Sequence, residues 1–136
     1  MEELGGIANI SRTVFTESWS YIELNTREFL HLYSGERSTI NLHALYLLYK
    51  ESDIVGFCSV YKENDATLIC KTIAVLPQYQ GMGLGNALAY TVHDDAEKAG
   101  FKKMMYALIR AGNKIKNFPQ DGAVVFRRYA AFEFKV

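Results

Sequence analysis

The sequence predicts a single α+β domain in which a mixed β-sheet is flanked by helices. Three consecutive segments rich in apolar, β-branched and aromatic residues are separated by short polar turns, the pattern of an antiparallel meander. The third runs into VLPQYQGMGLGNAL (Val75 to Leu88), where glycines at every second position precede a helical pattern, and another strand-like segment follows. Strand, glycine loop, helix, strand is a β-α-β unit, which expects a parallel pair and a right-handed crossover. With 136 residues, 49% hydrophobic and 22% charged, the chain suits one domain, residues 1–136, better than two.

The elements follow in order. Ile7, Ile10 and Val14 recur at helical spacing, and Phe29, Leu30 and Tyr33 do so again between a Thr26 cap and a Gly35 stop, so two helices are expected to open the chain within about residues 1–35. The strands are read at Ala44–Lys50, Ile54–Tyr61 and Ala66–Val75, with ESD and KEND as the turns. The next helix carries Leu88, Val92, Ala96 and Ala99 as its apolar stripe, with Gly100 past its end. FKKMMYALI (Phe101 to Ile109) reads as a strand, Pro119 is placed to open a last helix reaching about Ala131, and FEFKV reads as a short terminal strand.

Composition narrows the partners. Fifteen basic and fifteen acidic residues cancel, so no net field recruits nucleic acid or an acidic membrane surface. No apolar stretch is long enough to span a bilayer and no leader pattern opens the chain. Cys58 and Cys70 fall in neighbouring strands without a C-x-x-C or clustered histidines, which predicts buried reduced thiols rather than a disulfide or zinc site, and a cytoplasmic protein.

The glycine loop carries the chemistry. A turn from a strand into a helix presents unpaired N–H groups at the positive end of the helix dipole, an arrangement suited to a phosphate or pyrophosphate. Glycines let that backbone approach a ligand and tolerate φ > 0; the competing reading of Gly81, Gly83 and Gly85 is a tight turn with close helix packing. A dinucleotide fingerprint fails because Asn86 stands where its third glycine belongs, and a P-loop fails for want of its lysine and hydroxyl residue.

The stretch resembles the acyl-CoA signature V-x-P-x-x-[QR]-x-x-G-x-[GA] of the GNAT superfamily of N-acetyltransferases, with Val75, Pro77, Gln80, Gly83 and Gly85 in the matching places. The order of elements from Ala44 to Phe134 is similar to that family as well. The resemblance implies a GNAT-like three-layer fold, acetyl-CoA as cosubstrate without a metal, and a cofactor cradle made by the backbone of Ile73, Ala74 and Val75 and by Gln80, Gly81, Met82, Gly83, Leu84, Gly85 and Asn86. The acyl-CoA-binding core is then about residues 44–136, and the opening helices shape the acceptor side. The implied activity is transfer of an acetyl group to a primary amine of a small molecule or peptide by direct attack on the thioester.

A second match lies near the C-terminus. The family often carries Y-x-x-x-G-F, and here Tyr129 and Phe134 correspond while Glu133 replaces the glycine. The resemblance makes Tyr129 the general acid: a phenol with pKa ~10 can protonate a leaving thiolate whose own pKa is ~8.5 to 9. The general base is not named by the sequence. Cys70, Lys71 and Thr72 occupy the strand positions where the family often has a carboxylate, Glu63 and Asp65 sit in the preceding turn, and His31 and His43 qualify by pKa alone.

Two features depart from the family's order. No strand pattern precedes Ala44, so the family's first strand is missing, and only Lys135 and Val136 follow the Tyr129–Phe134 region. The chain is then either the C-terminal part of a longer protein or a borrower of a strand, as in a homodimer. Alternatives to an active enzyme are an acyl-CoA-binding module without turnover, favoured by Glu133 and the unnamed base, and an interaction domain in which the glycines serve packing.

Overall fold

The structure, a computed structural model, describes residues 2–15, 42–107, 124–125, 127–128, 130 and 134–135. Helix α1 (Glu2–Phe15) comes first, then β1 (Leu42–Lys50), β2 (Asp53–Asn64) and β3 (Thr67–Val75). A 3₁₀ turn (Pro77–Tyr79), helix α2 (Leu84–Lys98) and β4 (Lys103–Tyr106) follow. The sheet order is β1-β2-β3-β4, with the first two pairings antiparallel and β3–β4 parallel. This is the mixed sheet and β-α-β unit that the sequence predicts.

Each face of the sheet carries one described helix. Ile7, Ala8 and Ile10 of α1 bury against Phe57 and Ala74. Leu88 and Val92 of α2 bury against Cys58, Val60, Leu68, Cys70 and Val75. Neighbours in sequence such as Phe57/Cys58 and Ala74/Val75 join opposite clusters because successive strand side chains leave by opposite faces. The result is three layers, α1, sheet and α2.

A bulge in β3 sets the geometry beside the site. Cys58 pairs with Ile73 and Ser59 with Thr72, but Val60 pairs with Cys70, so Lys71 is an extra residue with no partner of its own. The insertion resets the alternation: Leu68 and Cys70 face α2 before it, and Ile73 and Val75 face α2 after it. Pairing of β3 with β4 ends at the same level, at Cys70 with Tyr106 and the bond from Ala107 N–H to Cys70 O at 3.3 Å. Among the described residues, Lys71–Val75 therefore have β2 on one side and a free backbone edge on the other.

Part of the C-terminal reading needs correction. Within the helix expected from Pro119 to about Ala131, the described residues Val124, Val125, Arg127, Arg128 and Ala130 carry no helix, and Phe134 and Lys135 carry no strand. Val124, Val125 and Phe134 are 81%, 72% and 84% exposed, so these three side chains are not buried, and a short helix without tertiary burial is marginal in water. The expected helix around Phe29 to Tyr33 lies outside the described residues.

Candidate functional site

The free edge of β3 leads directly into the glycine loop. Leu76 N–H donates to Val55 O at 2.9 Å, which makes residues 76 and 55 a hydrogen-bonded pair of the antiparallel ladder. Counting back along the register, Ala74 and Thr72 also bond toward β2, whereas Ile73 and Val75 direct their N–H and C=O groups to the opposite, free edge. The carbonyl of Val75 is taken by the Gln80 side chain, whose Nε2 donates to it at 2.8 Å. Among the described residues, Ile73 N–H, Ile73 C=O and Val75 N–H remain as an outward-facing row.

Beyond Val75 the chain is braced from several sides. Tyr79 N–H bonds Leu76 O at 2.9 Å and Gln80 N–H bonds Pro77 O at 3.2 Å. The Lys50 ammonium lies 5.1 Å from the Tyr79 ring centroid, a cation–π contact from the end of β1. Gln80 thus spends both its backbone N–H and its side chain inside the protein, where they fix the turn that presents the loop.

The loop itself is bare. Gly81 and Gly83 both sit at φ +79°, a left-handed conformation that disfavours any residue with a Cβ. Neither would crowd the protein with one, because an added Cβ meets nothing within 4 Å at either position. Backbone conformation is what demands glycine here. Gly83 is the N-cap of α2 and supplies no side-chain cap, and the first turn holds no acidic residue. The first bond of this helix end is Ala87 N–H to Gly83 O at 3.0 Å, so the N–H groups of Leu84, Gly85 and Asn86 precede the intrahelical ladder. Most helices cover these donors with Ser, Thr, Asp or Asn. Here no side-chain cap covers them, and they stand at the positive end of the helix dipole.

The remaining predicted site residues are placed as follows. Ala74 and Val75 are buried and Ile73 is half-buried, so their contribution is backbone, while Met82 (66% exposed) and Asn86 stand on the outer surface of the loop and Leu84 packs on the core. Tyr129 lies outside the described residues, as does His31. Glu63 and Asp65 are far from the loop: Glu63 lies in the last residues of β2, not in the turn as expected, Asp65 lies in the turn before Thr67, and both are at the opposite end of the nine-residue β3, roughly 25–30 Å away at about 3.4 Å per residue. Asp65 is also engaged by Lys62 at 2.7 Å, and that partner holds its carboxyl below the usual range. His43 packs edge-on to Phe101.

The α2 face behind the edge is apolar and tightly held. Cys58 and Cys70 are free and buried, with their sulfurs 3.5 Å apart. The contact with Cys58, and then burial, push the Cys70 thiol up, so it stays protonated. Tyr106 bonds His93 Nε2 at 2.6 Å, and burial raises its phenol. Among the described residues no His, Cys, Asp and Glu cluster could hold a metal ion.

Among the described residues, an extended row of outward-facing backbone groups runs into a glycine-led helix N-terminus that has no side-chain cap. The chain belongs to the acetyltransferase (GNAT) family, whose profile it matches over residues 6–116. Comparison with curated protein sequences finds no match. Among solved structures, the chain is similar to a ribosomal-protein-alanine N-acetyltransferase from Brucella melitensis biovar Abortus 2308, with TM-score 0.71, 13% identity, and coverage of 99% of this chain and 94% of that one. A possible acetyltransferase from Clostridium difficile 630 matches with TM-score 0.70 and 16% identity over 99% and 92% of the two chains. Aminoglycoside N-acetyltransferase AAC(6')-Iy in complex with CoA matches with TM-score 0.63 and 14% identity over 96% and 90%. At these identities the likeness is one of fold.

Three features carry no motif in the sequence: the bulge at Lys71, the hydrogen bond of the Gln80 side chain to Val75 O, and Ser59, a buried serine. The repeated apolar pair Ile69–Cys70 and Ile73–Ala74, on either side of Lys71-Thr72, is the one local signal that alternation breaks there.

Proposed function

We propose that this protein is an N-acetyltransferase that moves the acetyl group of acetyl-CoA to a primary amine by direct attack on the thioester. The observation that carries the reading is the continuity of the free β3 edge with the uncapped N-terminus of α2. The donor's pyrophosphate fits the amides from Gly81 to Asn86, and its pantetheine arm, which carries amide groups, fits the row made by Ile73 and Val75. This brings the thioester to the level of Lys71–Ile73, where the N–H of Ile73 is available to the oxyanion. The amine nitrogen then forms a bond to the carbonyl carbon, the C–S bond breaks, and the thiolate takes a proton, a role we assign to Tyr129. The acceptor is a small-molecule or peptide amine. The two free thiols suit a reducing cytoplasm.

The test is a thermal-shift titration with acetyl-CoA, with an adenine nucleotide as control, followed by a mass-spectrometric amine screen. A ligand that binds only the folded state at a hundred times its Kd stabilises it by about 2.7 kcal/mol, or roughly 9 °C in Tm for a chain of this length. No shift with acetyl-CoA refutes the cradle. A shift without product from any amine supports the second reading, an acyl-CoA-binding module, which the lack of a carboxylate at Cys70, Lys71 and Thr72 favours.

A further inference from the structure

Ser59 is fully buried, and its hydroxyl has no hydrogen-bond partner among the described residues. An orphaned hydroxyl in a packed sheet costs stability, and an alanine there would avoid the cost, so its place in the fold calls for a reason. Ser59 pairs directly with Thr72, at the bulge where β3 gains Lys71 and parts from β4. Directly paired residues hold their Cβ atoms about 4.5–5.5 Å apart on one face. That face is the α1 side, because Phe57 and Ala74, two residues away along each strand, bury against α1.

The two sides of the β3 edge differ in chemistry at this level. On the α2 side stand Cys70, Ile73, Val60 and Cys58, a closed apolar cluster. On the α1 side stand the hydroxyls of Ser59 and Thr72, with the Lys71 ammonium 5.6 Å from the Tyr61 ring centroid. A polar amine attacking a thioester held at the edge approaches on the α1 side.

We propose that Ser59 is a positioning residue for the acceptor amine. Its hydroxyl anchors a buried water which, together with the Thr72 hydroxyl, holds the amine against the bulge. This inference rests on the transferase reading and names the acceptor side of the same site. A hydroxyl both donates and accepts, so Ser59 orients the water with a lone pair toward the incoming N–H. The amine nitrogen bonds the carbonyl carbon as the C–S bond breaks; its surplus proton passes to that water and out to solvent, and the thiolate takes one proton from the acid.

The test compares the parent with Ser59→Ala and Ser59→Thr, using acetyl-CoA and whichever amine gives product. For Ser59→Ala the expected result is a Tm equal to or above the parent's, an unchanged acetyl-CoA Kd, and a kcat/KM for the amine lowered by about tenfold or more, with rescue by Ser59→Thr. A merely structural serine cannot lower turnover while leaving both stability and donor binding intact. Ser59→Ala with parental kcat/KM overturns the proposal even if Ser59→Thr fails to fold, as does a crystal structure in which Ser59 Oγ has no water within hydrogen-bond distance. Absence of acetylated product from the parent itself overturns the transferase reading, and the Ser59 role falls with it. Those outcomes are separable, because the first two leave the parent active.

Discussion

Replacing Gly83 tests whether the loop is bare because of its conformation or because a ligand needs the space. The residue sits at φ +79°. An alanine held there costs about 1–2 kcal/mol, and because an added Cβ touches nothing within 4 Å, no steric penalty joins that figure. At about 2.1 cal/mol/K per residue, Gly83→Ala should lower the Tm of this chain by roughly 3–7 °C. Gly83→Asn should lower it less, since asparagine tolerates the left-handed region. Both variants place a side chain on the amide surface from Gly81 to Asn86, so both should weaken acetyl-CoA binding by about tenfold or more, equivalent to about 1.4 kcal/mol. The assay is isothermal titration beside a thermal melt of the apo protein. If Gly83→Asn keeps its Tm and binds acetyl-CoA within about twofold of the parent, glycine serves only the turn and the cradle is refuted.

Tyr129→Phe removes one hydroxyl, so acetyl-CoA affinity should hold while kcat falls by about a hundredfold or more; full turnover would rule out the acid role. Tyr46 is pushed up to about 12 by burial and then by its hydrogen bond to Asp95. Its folded pKa exceeds its ordinary ~10, so the stability linked to the neutral phenol is intact below about pH 10 and is lost as pH rises toward 12. Melts across that window should fall less steeply for Tyr46→Phe, and an identical alkaline slope would show that Tyr46 does not carry the loss. Phe57 is 1% exposed beneath α1, and Phe57→Ala should cost about 3–5 kcal/mol in denaturant unfolding; a much smaller loss would mean that α1 does not cap that face.

The sequence was legible where a single period ran unbroken. β1 and β2 show as apolar, β-branched and aromatic runs, and α2 shows through Leu88 and Val92 at helical spacing with Gly100, at φ +91°, just past its end. The thiols of Cys58 and Cys70 were readable as buried and free. The bulge was not, because an inserted residue is defined by the partner strand: only the pairing of Ser59 with Thr72 and Val60 with Cys70 shows that Lys71 has none. The inward role of Gln80 was hidden for a related reason, since its acceptor, Val75 O, is a backbone atom that composition cannot mark. The expected C-terminal helix does not appear at its described positions: Val124 and Val125 look like core residues in the sequence, yet both are exposed, and a short helix without tertiary burial is marginal in water.

The bulge does two jobs with one residue. Were Lys71 an ordinary paired residue of β3 instead of a bulge, strict alternation from Leu68 and Cys70 would place Thr72 and Ala74 under α2, and Ile73 and Val75 under α1. A threonine hydroxyl would then enter the apolar cluster around the Cys58 and Cys70 sulfurs, while the α1 side would lose its polar pair with Ser59. With Lys71 bulged out of the ladder, apolar side chains fall on both flanks as each helix requires, and Ser59 and Thr72 share one side at the level where β4 departs. Among the described residues, the departure also leaves Ile73 N–H, Ile73 C=O and Val75 N–H without a strand partner. A free strand edge exposed along its whole length invites association with other strands, whereas this one is confined to a few residues that run straight into an uncapped helix end. A polar pair on the α1 side and an apolar cluster on the α2 side thus follow from one bulge in β3, at the level where β4 pairing ends and a backbone row opens.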